Sequence, residues 1–280
     1  MDTTPADAVH AASASTEPTQ PTLVRLRRRL ARRYALREAP IPIPGAPTPY
    51  VITLPADPDA PLDHLAHLTQ PTTHRRRTGD QEDAASAARR AVVSGAHLPY
   101  WALLWPSGMA LAEALLAAPD AARGRRTLEV GCGLGVTATA TLACGARLLV
   151  ADLFSEALHF CRYNTLRNSG HAPRALAVNW RAATGQAALI AAGPFDLLLA
   201  ADVLYEAEDE QPLLALVPQL LTPGGACWLA EPGRRVAQSF VAAALARGWH
   251  DAPTTYARHW PDEEHVSRVT VHRFTLPAYE

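Results

Sequence analysis

The sequence predicts an α/β domain, a doubly wound and mostly parallel sheet with helices on both faces, preceded by an N-terminal extension. Three observations predict it. From residue 98 to the end, short continuous apolar runs, the mark of strands buried on both faces, alternate with helical patterns. A glycine-rich turn, Gly131, Gly133 and Gly135, lies between one such run and the next helix. Asp152 closes the following run, 23 residues after Glu129, where this architecture holds an acid for a ribose.

The elements follow in order. Residues 1–22 are rich in Ala, Ser, Thr and Pro and too poor in apolar surface to order themselves, so a disordered tail is expected. Residues 23–96 form the extension and residues 97–280 the main domain. In the extension, 23–37 reads as a helix with Leu23, Leu26, Leu30 and Tyr34 on one face and seven arginines on the rest. It is expected to dock that stripe on its own domain; the alternatives are an acidic partner or a membrane surface. Prolines crowd 38–62 around one isolated strand at Tyr50–Leu54. Arg75–Asp83 reads as a polar loop. His64, His67 and His74 lie near it without a fourth ligand or a fixed scaffold, so no metal is expected.

In the main domain, strands are expected near Arg126–Val130, Arg147–Ala151, Ala175–Val178, Phe195–Ala200, Ala226–Ala230 and Val266–Leu276. Helices are expected near Ser107–Ala118, Gly135–Ala143, Ser155–Asn168, Gln211–Leu221 and Arg235–Arg247. No internal repeat is present.

Bulk properties exclude several classes. A formal net charge of −1 over 280 residues gives no global pull toward nucleic acid or an anionic membrane. No apolar run approaches the roughly 20 residues of a membrane helix, and no charged start with an apolar stretch marks a secretory signal. Cys132, Cys144, Cys161 and Cys227 lack C-x-x-C spacing and read as reduced core thiols of a cytoplasmic protein. All 26 basic residues are arginine, which with abundant Ala, Pro and Leu points to a GC-rich, bacterial genome. The chain has no lysine of its own to modify.

The glycine turn indicates its ligand. A dinucleotide loop wants glycine or alanine at position 136, which here is Val136. Glu129, just before the loop, would repel a pyrophosphate and attract an ammonium. S-adenosyl-L-methionine (SAM) carries such an ammonium and no phosphate. Asp152 then binds ribose hydroxyls, or instead caps the helix that follows. Asn179 and Trp180, at the end of the third strand, suit an adenine edge and face, although Trp180 equally suits core packing.

Several segments together resemble the seven-strand lysine methyltransferases, in particular the electron-transfer-flavoprotein β-subunit lysine methyltransferases and their bacterial relatives. They are PYWALLWPSGMALAEAL at 99–115, LEVGCGLGVTA at 128–138, VADLFSEALHFCRYNTLRN at 150–168, FDLLLAADVLYE at 195–206 and LLTPGGACWLAEPGR at 220–234. The resemblance covers about residues 97–276. It implies a class I, Rossmann-like, seven-stranded SAM-dependent enzyme. It further implies that Glu129, Gly131, Gly133 and Gly135 cradle the methionine end, Asp152 holds the ribose and Trp180 sits by the adenine. Trp105 would help close the cofactor pocket, and Ala201 is counted with the cofactor-binding residues.

Asp202 and Tyr205 form the D-x-x-Y that follows the fourth strand and, by the resemblance, faces the transferred methyl. In open α/β sheets ligands bind at the carboxyl edge, where these residues lie. Asp202 is expected to accept hydrogen bonds from a neutral amine, and Tyr205 to bond or wall it. Arg234 pairs either with an acid on the substrate or with Glu231; Trp101 and Tyr100 either line an alkyl channel or pack; Asn164 and Asn168 face solvent or a neighbouring loop. The expected function is protein-lysine N-methylation on a protein partner. The alternatives are methylation of a small-molecule amine or aromatic nitrogen, and a non-catalytic SAM-binding interaction module. Nucleic-acid methylation is disfavoured, because D-x-x-Y is not the N-P-P-Y of enzymes acting on exocyclic base nitrogens.

Overall fold

Continuous apolar runs along the central strands set the architecture, because each strand must bury both of its faces. The structure is a computed structural model that describes residues 20–62, 99–259 and 265–277. Most of the expected tail, the loop at Arg75–Asp83 and His64, His67 and His74 lie outside the described residues. The chain runs α1 (Gln20–Ala31), β1 (Leu36–Ile41), β2 (Tyr50–Pro55), α2 (Pro106–Ala117), β3 (Arg126–Val130), α3 (Val136–Ala143), β4 (Arg147–Asp152) and α4 (Ser155–Ser169). It continues with β5 (Arg174–Ala177), α5 (Ala183–Ala192), β6 (Phe195–Ala201), α6 (Glu210–Leu220), β7 (Leu221–Glu231), α7 (Arg235–Ala246), β8 (His250–Asp251), β9 (Thr254–His259) and β10 (Val266–Thr275).

The main sheet has the order β5-β4-β3-β6-β7-β10-β8, with β9 also on β10. The first five strands are parallel and β10 is antiparallel to β7. This is the expected doubly wound sheet. Its last position is shared by two strands, β8 and β9, so the sheet counts eight. The break falls at Ala252-Pro253, where proline has no N–H for the ladder. On β6, Leu197 and Leu199 face one apolar layer while Leu198 and Ala200 face the other. Among the described residues, no helix is long and apolar enough to cross a membrane.

The extension departs from expectation in three ways, the first being that its helix begins at Gln20, within the expected tail, and not at Leu23. The helix ends at Ala31 instead of Arg37, and the chain turns into β1. The strand at Tyr50–Pro55 is not isolated: it pairs antiparallel with β1, from Leu36 opposite Pro55 to Ile41 opposite Tyr50. The expected docking of the stripe is seen. Leu30 and Tyr34 are buried, Leu23 and Leu26 pack against the same core, and the Tyr34 ring lies 6.0 Å from Trp101 and 5.8 Å from Phe160. Of the seven arginines, Arg33 pairs with Glu156 and Arg27 lies 3.6 Å from Glu38, while Arg25, Arg28, Arg29 and Arg32 are exposed. Ile41, Ile43, Tyr50, Ile52 and Leu54 share one core with Met109, Leu111 and Leu115 of α2.

Asn164 and Asn168 face neither solvent nor a passing loop. Both grip the backbone of β2, and Asn164 is wholly buried. The site residues follow the carboxyl ends of β3, β4, β6 and β7.

Candidate active site

The glycine turn leaves β3 at Val130 and enters α3 at Val136. Gly131 and Gly135 both need positive φ, at 68° and 83°, where side chains are strained. A Cβ on Gly131 would meet Val203 Cγ1 at 2.7 Å, and one on Gly135 would meet Cys161 Sγ at 2.8 Å. The backbone is thereby brought against α4 on one side and the end of β6 on the other. Gly133 also has positive φ, and its N–H donates to Asp152 Oδ2 at 3.0 Å.

Glu129 ends up at the floor of this turn, with 2 % of its surface exposed. Its Oε2 is buried and has no hydrogen-bond partner among the described residues. Burial pushes its pKa well above the ordinary carboxylate value, and the Asp152 carboxylate adds to the rise. Asp152 is pushed up to about 6 by burial, against the opposing effect of the N–H groups of Phe154 and Gly133. Its oxygens accept those two amides, each at 3.0 Å, and keep lone pairs for a further donor. The helix after it starts at Phe154 as N-cap without a side-chain cap. A buried, unpartnered carboxylate beside a glycine cradle fits the ammonium of SAM, and an acid with spare acceptor capacity fits its ribose.

Across the edge, carboxylates meet arginines. Asp202 follows β6 in a left-handed conformation, φ 56°, and its side chain is 5 % exposed. Arg234 grips it with two bonds, Nε to Oδ1 at 2.6 Å and Nη2 to Oδ2 at 3.1 Å. The partners expected for Arg234 are a substrate acid or Glu231; its guanidinium instead takes Asp202, which neither reading named. Glu231, buried at the end of β7, accepts the backbone N–H groups of Gly233 and Arg234 and fixes the turn that aims Arg234. His272 Nε2 lies 3.7 Å from Glu231, and its Nδ1 is 2.6 Å from Asp251. Burial disfavours the imidazolium, but these two acids outweigh it and raise the His272 pKa.

The Arg234 guanidinium lies 5.8 Å from the ring centre of Trp105. Trp105 Nε1 donates to the Tyr100 carbonyl, and its ring packs edge-on against Tyr100. Tyr100 meets Tyr205 edge-on at 5.6 Å. Arg181 reaches over both Tyr205 and Trp180, at 5.6 and 5.8 Å, and pairs with the fully buried Asp209. Burial raises Tyr205 to about 12, so the phenol stays protonated at neutral pH. An arc of contacts thus runs from Asp202 through Arg234, Trp105, Tyr100 and Tyr205 to Arg181 and Asp209.

The structure places the remaining candidate residues as follows. Ala201 ends β6 beside Asp202. Trp101 takes the packing side of its two readings: it is buried, 5.3 Å from Phe160, in the core with the extension. Trp180 is buried in the other core, and Asn179 Oδ1 accepts Arg181 N–H at 3.0 Å. Sequence reasoning missed Arg181 and Asp209. The available signal was that an arginine directly follows Trp180 and an aspartate falls four residues after Tyr205, where its carboxylate accepts the Tyr205 and Glu206 amides.

Residues 128–227 match a family described as a methyltransferase domain. The electron transfer flavoprotein beta subunit lysine methyltransferase of Mus musculus is 31 % identical over 137 residues, 49 % of this chain and 51 % of that protein. The histone-arginine methyltransferase METTL23 of Mus musculus is 28 % identical over 123 residues, 43 % of this chain and 48 % of that protein. The chain therefore spans about half the length of either relative. Among solved structures, the N-methyltransferase NodS from Bradyrhizobium japonicum, in complex with S-adenosyl-L-homocysteine, superposes with a TM-score of 0.44 at 18 % identity, over 55 % of this chain and 79 % of that one. The glycine cradle and the buried Glu129 carboxylate, which has no partner among the described residues, both lie in or against the stretch 128–227 that matches this methyltransferase-domain family.

Proposed function

We propose that the protein is a protein-lysine N-methyltransferase. SAM, when bound, supplies an electrophilic methyl on a sulfonium; every other requirement falls to the chain. Glu129 binds the ammonium and Asp152 the ribose, while Gly131, Gly133 and Gly135 allow close backbone approach. Asp202 accepts hydrogen bonds from the acceptor amine, and Tyr205 with Tyr100 and Trp105 walls the alkyl stem. In this reading residues 97–280 are the catalytic domain and 23–96 an extension to it.

The observation that carries the reading is the pair Asp202–Arg234 at the carboxyl edge. A free lysine amine has a pKa of about 10.4 and is almost wholly protonated at neutral pH. A naked carboxylate would hold it as the unreactive ammonium. A carboxylate already neutralised by an arginine keeps lone pairs to orient the amine but holds its charged form less strongly. Rate enhancement then comes mainly from positioning. By their names, the two relatives methylate side-chain nitrogens of proteins, one lysine and the other arginine. Lysine is favoured because its amine loses its proton far more readily than a guanidinium.

The test is incubation of the protein with tritiated SAM and a cell lysate, followed by separation of protein from small molecules. The expected result is label in a discrete protein band, with mass spectrometry finding methyl-lysine. Methyl-arginine in that band would reassign the acceptor, label only in small molecules would favour the small-amine reading, and no label despite SAM binding would leave a binding module. The lysine-free chain cannot contribute methyl-lysine of its own.

A further inference from the structure

The N-terminal hairpin is joined to the cofactor loop by one side chain. Asn164 accepts the Thr53 N–H through Oδ1 at 2.9 Å. Its Nδ2 donates to the Thr53 carbonyl at 2.9 Å and to the Leu134 carbonyl at 2.9 Å. Leu134 lies inside the glycine turn, between Gly133 and Gly135, and Asn164 is the hydrogen-bond partner of its carbonyl. The amide therefore uses both donors and its acceptor on two segments remote in sequence, and it is 0 % exposed.

Geometry explains why α4 can do this. Asn168, one turn later, accepts the Val51 N–H at 2.7 Å and donates to the Val51 carbonyl at 3.0 Å. Four helical residues rise about 6 Å, and two strand residues rise about 6.6 Å, so two asparagines at this spacing match every second residue of β2. The side of α4 that holds Asn164 also carries Cys161, against which Gly135 is seated. One helix thereby carries the loop at its start and the hairpin farther along. Packing repeats the link: Leu134 is buried in the same cluster as Ile41, Ile52 and Leu54 of the hairpin.

We infer that the β1–β2 hairpin is a working part of the cofactor site, and that Asn164 is the positioning residue through which it holds the glycine turn in the SAM-binding conformation. The inference rests on the reading of 129–135 as the SAM loop. Asn168 is the internal control, because it grips the hairpin as Asn164 does but, among the described residues, bonds only Val51 and the Asn164 carbonyl. A purely structural role would lower the melting temperature of both variants without weakening SAM binding in either.

The test uses the full chain and SAM. Calorimetric titration should show Asn164→Leu binding SAM about tenfold more weakly or worse, the scale expected when a buried carbonyl loses its only side-chain partner. Asn168→Leu should bind within about twofold of wild type while melting lower. Wild-type protein supplies a second readout that needs no variant. Coupling is reciprocal, so SAM should slow hydrogen exchange at the Val51 and Thr53 amides. Equal SAM affinities for Asn164→Leu and wild type, or β2 amides indifferent to SAM, would overturn the inference alone. Failure of wild type to bind SAM would remove the loop reading and the inference together.

Discussion

At the glycine turn, among the described residues, Glu129 is buried with an oxygen that has no partner and Asp152 is met only by backbone amides, whereas at the mouth Asp202 and Asp209 are each held by an arginine. The two regions lie on one sheet edge and are built from the same residue type. Burying a carboxylate without a cation is unfavourable unless something supplies the charge later. The first region fits a ligand that brings an ammonium. The second fits an acceptor that must arrive uncharged, because its acids are already neutralised. In the proposed function, electrostatic pairing thus separates a cofactor half from an acceptor half.

The largest way to disturb that contrast is at the mouth. Arg181→Ala leaves the fully buried Asp209 without its cation and should cost about 3–5 kcal/mol of stability in urea unfolding. Adding Asp209→Asn should recover part of the loss, since the amide still accepts from the Tyr205 and Glu206 N–H groups. Next comes Asp202→Asn, expected to lower turnover about a hundredfold or more with SAM affinity near wild type; a matching drop in SAM binding would place Asp202 in the cofactor half. On the other side of the contrast, Asp152→Ala should weaken SAM binding about 10- to 100-fold, as loss of bonds to a charged acceptor does. The smallest expected effect is on pH. With Asp152 at about 6 in the SAM-free protein, its carboxylate is protonated below that pH. A ligand that donates to the ionised form binds more tightly as pH rises through 6, so SAM affinity should be about tenfold weaker at pH 5 than at pH 7.5. A flat profile would remove Asp152 from the contact.

Legibility followed the same physics. The glycine turn and Asp152 could be read because backbone geometry and charge point to glycine and to an acid at those positions, whereas the D-x-x-Y was picked out by the resemblance. The parallel strands could be read because Leu197–Ala200 and its neighbours are apolar on both faces. β1 was hidden, since Pro40 and the charges of Arg37 and Glu38 mask a strand that buries little but Ile41. α5 was hidden because an alanine-rich stretch has no apolar stripe, and β8 and β9 because an edge broken at Pro253 leaves no alternation long enough to see. The Asn164 clamp and the two arginine pairs join residues at least 28 positions apart, and no local pattern announces them.

The most direct test of the contrast is the melting of wild type and Glu129→Gln, each with and without SAM. Because burial raises the Glu129 pKa, keeping that acid costs stability above its ordinary value of 4.5, and the cost fades as pH falls toward 4.5. The account predicts that at pH 7.5 the SAM-free variant melts higher than wild type, that this gain is gone near pH 4.5, and that SAM raises its melting temperature far less than it raises that of wild type. A variant that melts lower without SAM and keeps the full SAM-induced rise would contradict it.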